Sequence, residues 1–298
     1  PSPAAHTHRE LTPEDLRPWR RGTHGLDYVH SFASVFPGPH LMIAALVHGN
    51  EPCGASALLQ LLRDGVRVLR GRLTLAFMNP AAFAQRDADK RQGLRAIDTD
   101  LNRVWSAETL AGRGLGVEGR RARALRALID SVDVLLDLHS MQCDGPPLIL
   151  AGAAPKGVAL ARAIGAELPI VVDRGHLGGT RLRDYAGFGD PASPKTALLV
   201  ECGRHGDPRA DELALAVSRR FLAYFGALAG EAPAPASPGR VIEVTDTITV
   251  EQGPFEFIRN FSGLEQVPEA NTLIGHDGGR EVRTPYESCT LVMPSTRL

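Results

Sequence analysis

Short apolar runs alternate with segments of helical periodicity along the first three quarters of the chain. Continuous apolar runs predict strands that are buried on both faces, over 41–47, 73–78, 132–138, 148–150 and 196–200. Apolar residues spaced three or four apart predict helices over 54–63, 118–129, 156–168 and 207–228. Asp207 followed by Pro208 is a good start for the last helix. This alternation favours an α/β fold with a largely parallel sheet flanked by helices.

The pattern changes near residue 231. Residues 231–240 are rich in proline, alanine and serine, which is typical of a linker. Residues 241–250 then alternate with period two, and 255–258, 281–284 and 290–293 are further strand candidates. We therefore predict a large domain over 1–230, a linker over 231–240 and a small antiparallel β-domain over 241–298. Within the large domain, the polar, glycine-rich stretch 81–119 is expected to be a functional loop.

Composition limits the classes of function. The 298 residues contain 33 Lys and Arg against 34 Asp and Glu, a net charge of −1 that argues against nucleic-acid binding. No apolar run is long enough to span a membrane, and the polar first ten residues show no signal segment. Four scattered cysteines without a CxxC pair argue against a disulfide framework or a cysteine zinc cluster. We expect a cytoplasmic protein with reduced thiols.

The near-zero net charge hides an uneven distribution. From residue 231 onward there are 10 acidic and 5 basic residues, so the first 230 residues carry a net charge of +4. The region from Arg86 to Arg126 alone has a net charge of +4. This distribution favours a small anionic substrate, and it does not indicate an oligomeric state.

The segment His48-Gly49-Asn50-Glu51 follows the first predicted strand of the parallel sheet. Ligands bind at the carboxyl ends of strands in such sheets, and Gly49 would allow the chain to turn there. An imidazole and a carboxylate three residues apart suit Zn²⁺, although they would also serve as ordinary polar residues of a turn.

A third ligand candidate, His139, ends the strand over 132–138 at the same edge of the sheet. Asp137 shares a strand face with it and would either orient the site or bind a nearby backbone amide. Glu201 ends the strand over 196–200 and would serve as a general base or pair with Arg204. The neighbouring Cys202 is a weaker candidate for a nucleophile.

The long loop contains Arg95 and the sequence Asp98-Thr99-Asp100-Leu101-Asn102-Arg103. An arginine suits a substrate carboxylate or a developing oxyanion, but surface arginines are commonly just solvated. Asp98 and Asp100 would bind a metal or, as we prefer, hold the loop through turn hydrogen bonds.

Together these four segments resemble the succinylglutamate desuccinylase/aspartoacylase family, a branch of the zinc carboxypeptidase-like fold. The HGNE, DLNR, DLHS and ECG motifs occur in the family's order. The resemblance implies one Zn²⁺ per chain and attack of a zinc-bound water on the amide of a small N-acyl amino acid. Residues implied as metal ligands are His48, Glu51 and His139.

The same resemblance implies further roles. Glu201 corresponds to the general base, and Arg95 to the arginine that polarises the scissile carbonyl. Asn102 and Arg103 correspond to the pair that binds a substrate carboxylate, and Tyr286 to a tyrosine that reaches over the pocket.

The sequence departs from the family pattern at one anion-binding position. Aspartoacylases carry an arginine about ten residues before the base, where this chain has Pro191. Arg181 or Arg183 could replace it. The departure leaves recognition of a second substrate carboxylate open. Competing interpretations are a metallocarboxypeptidase-like peptidase and a non-catalytic zinc- or ligand-binding protein.

Overall fold

A computed structural model of the chain describes residues 10–85, 93–142, 144–229 and 239–295. Its main element is an eight-stranded sheet with helices on both faces. The strands of this sheet are β1 (Val29–Ala33), β2 (His40–Ala45), β3 (Arg72–Phe77), β4 (Val134–Met141), β5 (Leu148–Leu150), β6 (Ile170–Val172), β7 (Thr196–Arg204) and β8 (Val241–Glu243). The α-helices are α1 (Pro13–Leu16), α2 (Cys53–Arg63), α3 (Pro80–Ala84), α4 (Ala107–Ala111), α5 (Val117–Asp130), α6 (Pro155–Ala163) and α7 (Pro208–Tyr224).

The strand order is β1-β3-β2-β4-β7-β5-β6-β8. The neighbours β3, β2, β4 and β7 run parallel, so their carboxyl ends share one edge of the sheet. Strand β1 is antiparallel to β3, and β5 is antiparallel to β7. The prediction of a mixed, largely parallel sheet flanked by helices is therefore confirmed.

The core lies on both faces of the sheet, which explains the continuous apolar runs. All residues of β2 and of β4 are buried. On one face, Leu41 and Ile43 pack in a cluster with residues of α2, α6 and α7. On the other face, Met42 and Leu135 pack with α5 and with the fully buried Trp105. Alternate residues of one strand thus serve two apolar layers.

The predicted helices are present with small differences at their ends. Asp207 caps α7 by accepting a hydrogen bond from the amide of Arg209, as the sequence suggested. The helix predicted over 156–168 ends at Ala163, and Gly165 follows with a φ of +61°. A left-handed glycine after the last turn is a usual helix stop.

The segment 241–250 is not the single strand that its alternation predicts. Only Val241–Glu243 forms a strand, and it pairs with β6 at the edge of the large sheet. Residues 245–249 are exposed and have no partner strand in the described part of the chain. Alternation shows which face a strand would bury but does not supply the neighbouring strand.

The C-terminal residues form two small antiparallel sheets. One has the order β12-β11-β9 and the other pairs β10 with β13. Their strands are β9 (Phe255–Phe257), β10 (Glu265–Val267), β11 (Leu273–Asp277), β12 (Arg280–Arg283) and β13 (Cys289–Leu291). Most of the predicted linker, residues 231–238, lies outside the described residues. The division into domains stays a prediction.

The stretch 81–119 is more structured than a loop. It contains most of α3, all of α4, a 3₁₀ turn over Leu101–Arg103 and the start of α5, while residues 86–92 lie outside the described residues.

Within the described ranges, none of the helices is long and apolar enough to cross a membrane. Cys53, Cys202 and Cys289 are buried and form no disulfide with one another; Cys143 lies outside the described residues.

Candidate metal centre

Two histidines and a glutamate meet at the carboxyl edge of the central strands. His48 and Glu51 follow β2, and His139 lies in β4, the neighbouring strand. The carboxylate of Glu51 lies between the two rings, with Oε1 2.8 Å from His48 Nδ1 and Oε2 2.8 Å from His139 Nδ1. All three residues are buried, and their candidate ligand atoms lie within 4.8 Å of one another.

The other ring nitrogen of each histidine faces an aspartate. Asp100 Oδ1 lies 2.9 Å from His48 Nε2. Asp137 Oδ2 lies 3.1 Å from His139 Nε2, close enough for an ion pair although its angle is not that of a hydrogen bond. Such partners set the tautomer and ring orientation of metal-binding histidines, so both Nδ1 atoms are held toward the shared carboxylate.

The cluster fits a divalent cation. Two imidazole nitrogens and a carboxylate are a usual set of three protein ligands for catalytic zinc. Burial raises the pKa of Glu51, but the two histidines outweigh burial and hold that pKa well below its usual range. Burial lowers the pKa of His139, but Asp137 and Glu51 outweigh it and raise that pKa well above the ordinary value. The negative charges of Asp100, Asp137 and Glu51 thus favour a positively charged group at this cluster.

Asp98 and Asp100 hold the loop, as the sequence analysis preferred. Asp100 Oδ1 accepts a hydrogen bond of 2.7 Å from the amide of Asn102, and Asp98 Oδ2 accepts one of 2.6 Å from the amide of Val117. The contact between Asp100 and His48 was not predicted, because 52 residues separate them and no pattern links them.

Glu201 lies beside the cluster, and no ion pair joins it to another residue in the described ranges. It is paired with His139 in the register of β4 and β7, and it is 7% exposed. Its Oε2 atom is buried and has no hydrogen-bond partner among the described residues. Burial is the main reason that the pKa of Glu201 is raised to about 8. The alternative pairing with Arg204 does not occur, since Arg204 contacts Asp144 at 3.2 Å.

Arg95 borders the cluster through two acidic residues. Its Nη2 atom lies 2.9 Å from Asp100 Oδ2 and its Nη1 atom 3.5 Å from Glu51 Oε1. The side chain is 40% exposed, so the guanidinium is partly open to solvent. The position allows it to interact with a group bound at the cluster.

We expected Gly49 to let the chain turn, but the structure requires a glycine there because neighbouring backbone lies too close for a side chain. A Cβ atom there would lie 2.4 Å from the amide nitrogen of Phe83 and 2.5 Å from the carbonyl oxygen of Leu94. The amide of Gly49 also donates to the carbonyl oxygen of Arg95 over 3.1 Å. Close contact with the loop, rather than a positive φ, thus requires glycine here. The strained backbone is at Leu46, with a φ of 54°.

Comparison with known proteins matches this architecture to one family. The model of the succinylglutamate desuccinylase/aspartoacylase catalytic domain matches residues 37–219, more than half of the chain. The chain belongs to the succinylglutamate desuccinylase/aspartoacylase family. An aspartoacylase of Xenopus tropicalis is 30% identical over 115 residues, which is 35% of this chain and 34% of that protein. The aligned part thus spans about a third of the length of this relative.

Solved structures show the same fold at low identity. Succinylglutamate desuccinylase from Vibrio cholerae aligns with a TM-score of 0.70 and 15% identity, over 92% of this chain and 82% of that chain. The ectoine utilization protein EutE (DoeB) from Ruegeria pomeroyi, solved with bound product, aligns with a TM-score of 0.60 and 20% identity, over 87% and 80%.

Two further residues of the family pattern lie close to the cluster. Arg103 is about one-fifth exposed, its Nη1 donates to the carbonyl oxygen of Asn102, and its Nη2 lies 4.0 Å from Asp100 Oδ2. Asn102 is buried, and its Oδ1 accepts a hydrogen bond of 2.8 Å from the amide of Leu182. The amide nitrogen of its side chain is therefore the part that would bind a carboxylate.

Tyr286 is not brought to the cluster by any described contact. It is 41% exposed, and its hydroxyl lies 2.6 Å from Thr245 Oγ1. No hydrogen bond or ion pair within the described ranges joins it to the candidate metal ligands. Its assignment as a substrate-binding residue of this family stays a prediction.

The two arginines considered as a replacement for the missing family arginine are already paired. Arg181 contacts Asp173 and Asp184, and Arg183 contacts Asp184 at 2.5 Å. Arg183 also donates to the carbonyl oxygen of Ala151. Both are buried, and Arg183 helps to line a cavity of about 410 Å³.

Three polar residues near the cluster were not predicted. His205 Nδ1 lies 2.7 Å from Ser140 Oγ, and its Nε2 lies 3.5 Å from Asn50 Nδ2. The amide of Ser140 donates to Glu51 Oε2 over 3.3 Å. Asn50 and Ser140 stand inside the HGNE and DLHS motifs, and His205 directly follows β7, so the strand-end reasoning that selected Glu201 could have found it.

Proposed function

We propose that this member of the family is a zinc-dependent amidohydrolase that cleaves the amide bond of a small N-acyl amino acid or a related anionic amide. The observation that carries the proposal is the position of Glu201. Glu201 is buried on the strand next to His139, beside a set of ligands suited to zinc, and its Oε2 atom has no hydrogen-bond partner in the described part of the chain. Groups with such strongly perturbed pKa values in a cleft are candidates for acid–base work.

His48, Glu51 and His139 would hold the zinc ion, which when bound supplies a Lewis acid and lowers the pKa of water toward about 7. Glu201 accepts the proton of the attacking water at its carboxylate. It then donates that proton to the leaving amine. Burial raises the pKa of Glu201 from its ordinary value toward neutral pH, which suits a group that first accepts and then donates a proton.

The arginines supply the remaining roles. Arg95, held by Asp100 at the border of the cluster, stabilises negative charge on the carbonyl oxygen as water attacks. Arg103, with the side-chain amide of Asn102, binds the carboxylate of the substrate. An anionic substrate also agrees with the net positive charge of the first 230 residues.

The family relatives support acyl–nitrogen cleavage over peptide hydrolysis. The relatives compared above include an aspartoacylase and a succinylglutamate desuccinylase, whose names are those of enzymes that remove acyl groups. These names do not specify which acyl group or amine this chain accepts. The proposal therefore concerns the class of reaction, and an assay with several substrates identifies the acyl group and the amine.

The test compares the wild-type protein with Glu201→Gln, both loaded with zinc. Hydrolysis of N-acyl amino acids and of dipeptides is measured together with zinc content. We expect wild type to prefer the N-acyl amino acids. We expect Glu201→Gln to retain zinc and lose about 10²–10⁴-fold in kcat. Equal rates in the two proteins would overturn the assignment of the base. A preference for dipeptides would indicate a peptidase, and zinc binding without turnover would indicate a binding protein.

A further inference from the structure

Glu118 is a completely buried carboxylate that the proposed reaction does not use. It is the second residue of α5, and its exposure is 0%. Among the described residues, no arginine, lysine or histidine forms an ion pair with it. An isolated buried charge is costly, so its hydrogen bonds show what it stabilises.

The carboxylate is bound by three successive backbone amides of the long loop. Oε1 accepts a hydrogen bond of 2.6 Å from Ile97, and Oε2 accepts bonds of 3.1 Å from Asp98 and 3.2 Å from Thr99. Successive amides of this kind form a concave site for an anion. Here the anion is a side chain of the same protein, so the loop is fastened to α5.

Two more contacts complete the attachment. Asn79, two residues after β3, donates from Nδ2 to Glu118 Oε1 over 3.1 Å. In return, Asp98 Oδ2 accepts a hydrogen bond from the amide of Val117, the first residue of α5. The loop is thereby tied to the sheet edge and to a helix, and α5 gains a cap from the loop.

Residues 97–99, whose amides bind Glu118, lie between the two loop residues that contact the cluster. Ile97, Asp98 and Thr99 separate Arg95, which borders Glu51, from Asp100, which bonds His48. A shift of these amides would therefore move the guanidinium and the aspartate together. Burial raises the pKa of Glu118, but the amide hydrogen bonds outweigh burial and lower it, so the group is charged when it holds the loop.

We propose that Glu118 is a positioning residue of the active site, which fixes Arg95 and Asp100 against the His48–Glu51–His139 cluster through the amides of residues 97–99. The inference rests on the proposed function for its kinetic consequence. Its effect on the orientation of His48 is independent of the substrate.

The experiment compares Glu118→Gln with a matched control, Asp277→Asn. Asp277 is also fully buried, and its carboxylate also accepts backbone hydrogen bonds, from Glu251 and Gln252, but it lies in the small three-stranded sheet. For each protein we would measure zinc affinity by competition with a chromogenic chelator, kcat and KM separately, and the unfolding temperature.

We expect Glu118→Gln to bind zinc up to about 10–100-fold more weakly and to lose kcat by a similar factor, because it displaces Asp100, and loss of an outer partner of a metal ligand has effects of this size. Asp277→Asn should lower the unfolding temperature while leaving zinc affinity and kcat at wild-type values. If Glu118→Gln lowers only the unfolding temperature, Glu118 is merely structural and the inference is wrong.

A second variant covers the case in which Glu118→Gln does not accumulate as folded protein. Glu118→Asp keeps the charge but is shorter by one methylene, and we expect an intermediate loss of zinc affinity. Wild-type zinc affinity in Glu118→Asp would then overturn the inference. If wild type itself hydrolyses no amide, the proposed function fails, whereas the zinc measurements still decide the role of Glu118.

Discussion

Asp100 Oδ1 lies 2.9 Å from His48 Nε2, on the side of the ring that faces away from Glu51. The same aspartate contacts Arg95 through its other oxygen, at 2.9 Å. One carboxylate therefore holds both a candidate metal ligand and the candidate oxyanion-binding arginine. Burial raises the pKa of Asp100, but His48 and the nearby arginines outweigh it and keep the group ionised.

This relationship predicts that Asp100→Ala weakens zinc binding about 10–100-fold, because His48 loses the partner that sets its tautomer. Asp144→Ala is the control, since Asp144 is an exposed aspartate that pairs with Arg204 and takes no part in holding the loop. Chelator competition measures both. Unchanged zinc affinity in folded Asp100→Ala would show that the ring is oriented by other contacts.

Arg95→Ala is expected to lower kcat about 10²–10³-fold while zinc stays at one equivalent, since a lost oxyanion donor has this effect. The control is Arg204→Ala, which removes an exposed arginine that pairs with Asp144. Steady-state kinetics and metal analysis of the purified proteins provide the measurement. A change in KM alone would assign Arg95 to substrate binding instead.

Gly49→Ala is expected to destabilise the protein by about 1–3 kcal/mol, the usual range for overpacking. The added Cβ would meet backbone atoms of Phe83 and Leu94, which cannot rotate away. Gly279→Ala is the control, since a Cβ there meets nothing within 4 Å. Urea unfolding measures both proteins, and equal free energies of unfolding would contradict the crowding argument.

Acid stability should depend on Glu118. Its folded pKa lies below the unfolded value of about 4.3, so its charged form stabilises the fold above that pH. The stabilisation is lost as the pH falls through the lower, folded pKa. The difference in free energy of unfolding between wild type and Glu118→Gln should therefore be full at pH 7 and smaller at pH 3. A difference that is constant with pH would mean that the carboxylate is not charged in the fold.

The arginines near residue 182 illustrate a limit of sequence reasoning about charge. The sequence assigns Arg103 to the substrate carboxylate through the family motif and offers Arg181 or Arg183 as a replacement for the missing second arginine. In the structure, Asp173 and Asp184 neutralise the two replacement candidates, whereas Arg103 lies 4.0 Å from its nearest acidic partner, Asp100. Pairing of this kind depends on which loops pack together, and local spacing does not show it.

The sequence by itself determined the fold class and the order of the central elements. Runs such as 41–47 and 132–138 predict buried strands because both faces of a central strand must be apolar. It also placed His48, Glu51, His139 and Glu201 at one edge, since the carboxyl ends of parallel strands share an edge. The cluster of the first three in the structure agrees with that reasoning.

Only the tertiary structure decided the contacts between distant segments. The bond between Asp100 and His48, the hydrogen bonds of Glu118 to the loop and the pairing of Val241–Glu243 with β6 join residues 19 to 71 positions apart. Hydrophobic periodicity reports which face of an element is buried, but not which polar group lies against it. Such partners are set by packing of the whole chain, where a buried charge must find its hydrogen bonds.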